Sequence, residues 1–135
     1  MSRRRDDRRA LTGVLDTSVF VAREQDRPLA ELPDQGGISV ITVVELRVGV
    51  LVATDPSVRA QRMRTLSEVE QLDALGVDDD VAREFAEIVV EARGKRRRPK
   101  ILDALIAATA RALDVPIYTQ DSDFDEMPGV RVVRV

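Results

Sequence analysis

Short apolar runs alternate along the chain with longer segments whose apolar residues recur at helical spacing. The run at 14–15 stops abruptly at Asp16, the run at 38–41 follows two glycines, and two further runs occupy 115–119 and 130–133. Each run has the length and the sharp ends that are typical of a buried strand. Strands that alternate with helices predict a mostly parallel sheet, so we expect an α/β fold with helices on both faces.

The helical segments differ in how much of their surface is apolar. Apolar spacing over 42–51, 57–72 and 78–89 indicates three helices, each with one buried face. A fourth helix starts at Pro99, a residue favoured in the first turn, and continues to 113. From 101 to 113 only Asp103 and Arg111 carry charge. A helix that is apolar on nearly all sides is typically buried, so we expect Asp103 to lie in poorly hydrated surroundings.

Acidic residues fall where the predicted strands end. Asp16 follows the first strand, Asp121 follows the run at 115–119, and Glu45 lies in the first turn of the helix after the second strand. In parallel α/β sheets, ligands bind beyond the carboxyl ends of the strands. Clustered carboxylates raise one another's pKa, and a divalent cation removes that conflict. With Asp103, these four acids therefore predict an all-oxygen site of the kind that suits Mg²⁺ or Mn²⁺.

Three of these acids also have a purely structural interpretation. Asp16 is a good N-cap for the helix that follows it. The pattern from Thr42 to Glu45 fits a capping box, in which the Glu side chain returns to the cap amide. Asp103 fits a first-turn acid that is stabilised by the helix dipole, or a salt bridge to the run at 96–98. The residues alone leave these alternatives open.

The segment around Asp121 has alternating acids and resembles the start of an EF-hand loop. The sixth position is Glu126, where Gly is required, and the twelfth is Val132, where Glu is required. An EF-hand is therefore excluded. Asp125 is interpreted as a surface acid, and Asp123 fits either a surface acid or a ligand.

Composition narrows the chemistry. The 135 residues are enough for one ordinary domain, and 44% of them are hydrophobic and 33% charged, as in a globular protein. The chain has no His and no Cys, which excludes disulfides, the usual zinc ligand sets and a Ser-His-Asp triad. Carboxylates, hydroxyls and cationic side chains must carry any catalysis.

Other α/β proteins with acidic or phosphate-binding sites fit less well. A receiver domain needs an acidic pair after the first strand and a late Lys, but Thr17 follows Asp16 and no Lys follows residue 100. A phosphatase of the haloacid dehalogenase type needs Asp where Ser18 stands. The chain also lacks the Gly-rich loops that bind nucleotide phosphates.

The sequence resembles the PIN-domain ribonucleases and, more narrowly, the VapC-type toxins of type II toxin–antitoxin systems. The matching segments are 14–19, 41–46, 102–110 and 118–124. The resemblance implies a three-layer α/β/α fold over 11–135, a homodimer and inhibition by a cognate antitoxin. It also implies site residues. The catalytic and metal-binding residues would be an acidic quartet of Asp16, Glu45, Asp103 and Asp121. Asp16 and Asp103 would be the principal Mg²⁺ ligands. The supporting or auxiliary residues would be Thr17, Ser18, Thr119 and Asp123.

These expectations combine into a hypothesis of metal-assisted RNA hydrolysis with Mg²⁺, or Mn²⁺, as the cofactor. Two alternatives stay open: a housekeeping PIN nuclease for RNA maturation, and a PIN-like module that binds RNA or protein without cleaving it. The basic run before the fourth helix is interpreted either as a solvated loop or as a contact for RNA phosphates. The RNA-binding candidates in that run are Arg96, Arg97, Arg98 and Lys100.

The ends and the location of the chain allow three more expectations. Residues 1–10 are rich in Arg and predict a flexible basic tail. No apolar stretch reaches the length of about 18 residues needed for a membrane span, and the N-terminus lacks the apolar core of a signal peptide. We therefore expect a cytoplasmic protein that does not associate with a membrane.

Overall fold

A four-stranded parallel sheet forms the centre of the structure, a computed structural model that describes Arg8 and residues 10–135. The strand order is β2-β1-β3-β4, so β1 and β3 are the inner strands. The strands are β1 (Gly13–Leu15), β2 (Gly36–Gly37), β3 (Ile117–Thr119) and β4 (Val132–Arg134). The α-helices of this part of the chain are α1 (Thr17–Glu24), α2 (Val40–Val52), α3 (Pro56–Glu70), α4 (Asp79–Gly94) and α5 (Ile101–Leu113).

The two inner strands pair in parallel, and the glycine that opens β1 leaves room for the ring of Tyr118 on β3. Val14 and Ile117 are register partners, and both are fully buried. A Cβ atom added to Gly13 would lie 2.5 Å from a ring carbon of Tyr118, so a larger residue there would clash with the neighbouring strand. The predicted parallel sheet is confirmed, and the first, third and fourth strands lie where the apolar runs placed them.

The second strand was predicted wrongly. The sheet pairing lies at Gly36–Gly37, and the chain has already entered α2 at Val40. The Oγ atom of Ser39 accepts a hydrogen bond from the backbone N–H of Ile41 at 3.0 Å and so caps the helix. An apolar run of four residues is compatible with a strand or a buried helix start, and the Ser39 cap decides for the helix.

The structure therefore also corrects the capping box. Because α2 begins at Val40, Thr42 lies inside the first turn and Glu45 lies in the second turn. Glu45 does not return to the Thr42 amide; its carboxylate receives a hydrogen bond from Thr17 instead. Glu45 nevertheless remains near the carboxyl edge of the sheet, because the helix leaves from that edge.

Two hydrophobic clusters cover the sheet and give the predicted three-layer α/β/α arrangement. One joins the inner strands to α4 and α5 and includes Ile88, Ile106 and Phe124. The other joins α1, α2 and α3 and includes Phe20 and Leu66. The layers hold the strand ends at one edge, where the acidic residues lie.

The helix α5 is buried as predicted, but it begins later than expected. Its N-cap is Lys100, so Pro99 precedes the helix and does not start it. Ile101 and Leu102 are exposed, whereas the stretch from Asp103 to Ala110 is buried except for one partly exposed residue. The first buried turn of α5 thus carries an acid.

The predicted flexible tail falls mostly outside the described residues, which omit 1–7 and 9. Within the described part, an Nη1 atom of Arg8 lies 3.0 Å from an Oδ2 atom of Asp78, the N-cap of α4. None of the helices described for Arg8 and residues 10–135 has the length and hydropathy required to cross a membrane.

Candidate active site

Asp16 ends β1 and caps α1 at the same time. Its Oδ2 atom accepts hydrogen bonds from the backbone N–H of Ser18 at 3.2 Å and from the hydroxyl of Thr119 at 2.8 Å. The carboxylate is buried, with 3% of the residue exposed. Its Oδ1 atom accepts no hydrogen bond from the residues that the structure describes, so this oxygen is available to a ligand. The capping and the functional interpretations of Asp16 are therefore compatible.

Hydroxyl groups tie the end of β1 to the end of β3. The single proton of the Thr119 hydroxyl goes to Asp16, so the oxygen accepts from the Asp121 backbone N–H at 2.8 Å and lies 3.2 Å from the Ser18 hydroxyl. Ser18 Oγ in turn accepts from the Gln120 backbone N–H at 2.9 Å. This network fixes the carboxylate of Asp16 and the backbone of Asp121.

Glu45 reaches the same edge from the second turn of α2. Its Oε1 atom accepts a hydrogen bond of 2.7 Å from Thr17, whose oxygen lies 3.1 Å from the hydroxyl of Thr42. Burial raises the pKa of Glu45, the Thr17 hydrogen bond lowers it, and the charges of Asp16 and Asp121 raise it. The net result is a raised pKa, caused first by burial and increased by the two neighbouring acids.

Asp103 lies at the point where the acids meet. It occupies the third position of α5 and is 9% exposed. Its pKa is raised from 3.8 to about 6, first by burial and then by the charges of Asp121, Asp16 and Glu45. Within the described chain it forms no ion pair and accepts no hydrogen bond, so a salt bridge to the run at 96–98 is not what holds it.

Asp121 approaches from the other side, two residues after β3. Its Oδ1 atom accepts a hydrogen bond of 2.9 Å from the Asp123 backbone N–H and caps a short 3₁₀ helix, Ser122–Phe124. The carboxylate of Asp123 lies near this group and pairs with Lys100, Nζ to Oδ2, at 2.8 Å. Asp125 is exposed and pairs with Arg134, which agrees with its interpretation as a surface acid.

These acids form two overlapping trios that share Asp103. One carboxylate oxygen from each member of a trio lies within 4.8 Å of the others. The trios are Asp16, Glu45 and Asp103, and Asp103, Asp121 and Asp123. The first trio forms no ion pair within the described residues, and an uncompensated cluster of buried carboxylates is unfavourable. An all-oxygen donor set of this charge fits a divalent cation such as Mg²⁺ or Mn²⁺.

The basic run lies beside the second trio. Lys100 contacts Asp123, as described, and Arg97 pairs with Glu126. Arg96, with a φ of 58°, and Arg98 are exposed and form no ion pair with any described residue. Of the four RNA-binding candidates, Arg98 therefore has no acidic partner among the described residues and lines the same cavity as Asp123.

Two contacts were not found from the sequence. Thr42 was assigned to a helix cap, but it is fully buried next to Thr17 and supports the residue that orients Glu45. The pairing of Lys100 with Asp123 was also missed. Neither has a local signal, because each joins residues that only the tertiary fold brings together.

The chain is similar to known proteins over most of its length. The model of the PIN domain family matches residues 13–130, most of the chain. The chain belongs to the PIN-domain family. Among its PIN-domain relatives, Ribonuclease VapC5 of Mycobacterium tuberculosis (strain ATCC 25618 / H37Rv) is 45% identical over 128 residues, which cover 91% of this chain and 95% of that protein. Ribonuclease VapC4 of the same strain is 40% identical over 130 residues, which cover 95% and 98%.

A solved structure agrees with these relatives. The PIN domain superposes with a TM-score of 0.83 and 43% identity on a chain from the crystal structure of VapBC-5, a member of the VapBC family of toxin-antitoxin systems from Mycobacterium tuberculosis. The match covers 92% of this chain and 98% of that chain. The predicted fold and the predicted family are both confirmed.

Proposed function

We propose that this PIN-domain protein is an endoribonuclease that depends on Mg²⁺, or on Mn²⁺, and acts as the toxin of a toxin–antitoxin pair. The observation that carries the proposal is the overlap of two acid trios on Asp103 without a cation from the chain in the first trio. The names of the relatives, which are VapC ribonucleases, support RNA as the substrate.

Each acid has a distinct role in this proposal. Asp16 and Asp103 hold the cation from the ends of β1 and the start of α5. Glu45 and Asp121 complete the site from the two flanks, directly or through water. When bound, the cation would neutralise charge on the reacting phosphate and lower the pKa of the attacking water.

The hydroxyl groups keep these acids in place. Thr119 and Ser18 orient Asp16 through the hydrogen bonds at the ends of β1 and β3. Thr17 holds the Glu45 carboxylate in one orientation and favours its ionised form. The RNA 2′-hydroxyl takes no part in this scheme, so water is the nucleophile and the new 5′ end keeps the phosphate.

The basic run supplies a surface for the RNA backbone in this proposal. Arg96 and Arg98 are free to contact phosphates, and Arg97 and Lys100 are held only by exposed ion pairs, which are worth about 0–1 kcal/mol. Reversing the charge of Arg96 and Arg98 should weaken RNA binding and flatten its dependence on salt concentration. An unchanged salt slope would contradict this role. The matched control, which reverses the same number of exposed charges outside the run, is Arg23→Glu combined with Arg64→Glu.

RNA cleavage with mapped ends tests the proposal. The wild-type protein should cut RNA internally in Mg²⁺, leave 5′-phosphate ends, and lose activity in EDTA. Asp16→Asn should reduce the rate at least about a hundredfold, because a principal ligand is lost. Asp34→Asn, on the exposed surface, should cut like the wild type. Cleavage that persists in EDTA, or in Asp16→Asn, would refute the proposal.

The partners of the chain are part of the same proposal. The structural neighbours include VapBC complexes, and we infer that this chain also binds an antitoxin and forms a homodimer in the cytoplasm. Expression in bacteria should arrest growth unless the cognate antitoxin is present, and Asp16→Asn should be harmless. A toxic Asp16→Asn variant would separate growth arrest from the acid cluster. Unimpaired growth with the active wild type would favour the housekeeping nuclease, and a chain without nuclease activity would favour a binding module.

A further inference from the structure

A cavity of about 600 Å³ lies directly beside the acid cluster. One wall is the end of α4 and the connection to α5, and the other wall is the segment 122–128. The volume is within the range of about 300–1,000 Å³ that is usual for small-molecule sites. Asp123 belongs both to the lining of this cavity and to the second acid trio. A group that occupies the cavity therefore lies next to the acids.

The lining of the cavity combines apolar and charged groups. Ala92 and Met127 are 3% and 6% exposed, and Pro99 and Pro128 line the cavity with them. A floor of this kind accepts a flat apolar body, and the sulfur of Met makes favourable contacts with aromatic rings. The floor thus suits a nucleobase better than it suits a free ion.

The charges of the lining come from opposite walls. Arg97 reaches across to Glu126, and Lys100 reaches across to Asp123. Arg98 lines the same cavity and forms no ion pair in the part of the chain that the structure describes. Exposed ion pairs contribute little, so a phosphate that enters can exchange with a carboxylate partner. A phosphate can therefore contact Arg98 directly, and it can contact Lys100 after it replaces the Asp123 carboxylate.

We propose that this cavity holds one nucleotide of the substrate, the neighbour of the phosphate that is cut. The base lies over Met127, and its phosphate contacts Arg98 and Lys100. The inference rests on the proposed function, because the acid cluster fixes where the reacting phosphate lies. It goes further than a general basic surface, since it assigns a site for a nucleoside and not only for backbone charge.

The methionine methyl groups provide a direct test. The chain has three Met residues, and Met63 on α3 is exposed and distant in sequence from the cavity. Methionine methyl groups labelled with ¹³C are followed by NMR in EDTA while each of the four nucleoside 5′-monophosphates is added; Met127→Leu assigns the signal. A mononucleotide has no phosphodiester bond to cut and need not pass over the acids. We expect a saturable shift of Met127 with at least one nucleotide and no shift of Met63.

A matched pair of variants tests the phosphate contact. Arg98→Gln should weaken the nucleotide binding that the Met127 titration reports about two- to fivefold, the upper range for one exposed charge contact. Arg64→Gln makes the same chemical change on α3, away from the cavity, and should leave the titration unchanged. Equal weakening in both variants, or equal shifts of Met63 and Met127, would indicate general charge attraction and overturn the proposal.

The remaining outcomes separate the ligand classes. If inorganic phosphate shifts Met127 as strongly as any nucleotide, the base is not held and the proposal is wrong. If an acidic peptide shifts Met127 and the nucleotides do not, the cavity is a peptide site. Absence of a Met127 shift in a protein that cuts RNA overturns the cavity and leaves the proposed function. A Met127 shift in a protein that cuts no RNA would support the nucleotide site and overturn the proposed function.

Discussion

Replacing Asp103 with Asn is expected to stabilise the protein when no divalent cation is bound. Asp103 is buried, lies beside Asp16, Glu45 and Asp121, and has no hydrogen bond or ion pair within the described residues. Asn has nearly the same shape and no charge, so the substitution removes repulsion without opening a cavity. If Asp103 stabilised the fold by its own contacts, Asp103→Asn would instead lower the free energy of unfolding.

The size of the effect follows from the pKa of Asp103. A rise from 3.8 to about 6 corresponds to at most about 3 kcal/mol, and solvent at the open mouth of the site reduces this to roughly 1–2 kcal/mol. Because the folded-state pKa is the higher one, the folded chain holds a proton that the unfolded chain releases. Stability therefore falls as the pH rises from about 4 through about 6, and is lowest above that range.

Thermal unfolding in EDTA between about pH 4 and pH 8 measures this effect. Asp103→Asn should unfold about 3–10 °C above the wild type near pH 7.5, and the difference should shrink towards pH 4. Mg²⁺ should stabilise the wild type much more than the variant. Asp34→Asn is the control for loss of an exposed charge. A variant that is less stable in EDTA, or equally stabilised at every pH, would refute the account of Asp103.

Three further substitutions probe the support of the site and of the core. Thr17→Val removes the hydrogen bond to Glu45, which is worth about 1.5–3 kcal/mol when the acceptor is charged. The pKa of Glu45 should therefore rise further in a carboxyl NMR titration. An unchanged pKa would show that Thr17 does not act on Glu45. Arg111→Met should lower the free energy of unfolding in urea by roughly 2–4 kcal/mol. The reason is that Arg111 contacts Glu84 at 2.9 Å and donates hydrogen bonds to Glu87 and to the Pro128 carbonyl. A loss under about 1 kcal/mol would contradict this. Ile106→Ala should cost about 2–5 kcal/mol in the same assay, since its side chain is fully buried between the sheet and α4, and a smaller loss would mean that the core closes around the gap.

The position of three acids could be predicted because local pattern and sheet geometry agree. Asp16 and Asp121 follow apolar runs that end abruptly, and parallel strands bring such ends to one edge. Asp103 interrupts a helix that is otherwise apolar, which predicts burial of a charge. These signals need no knowledge of which strands are neighbours.

The arrangement around Glu45 could be predicted only in part. The apolar run at 38–41 fits either a strand or a helix start, and the cap on Ser39 decides between them. The apparent capping box was therefore wrong, although Glu45 still reaches the predicted edge. The hydrogen bond from Thr17 to Glu45 joins two helices, so the periodicity within either helix does not predict it.

Locating a bound cation tests the central claim most directly. Crystals of the protein equilibrated with Mn²⁺ would show the ion by its anomalous scattering. We expect a peak within about 2.0–2.3 Å of carboxylate oxygens from both Asp16 and Asp103, and no such peak in Asp16→Asn crystals. Saturating Mn²⁺ that leaves this cluster empty, with each acid neutralised by an Arg or Lys of the protein, would contradict the account.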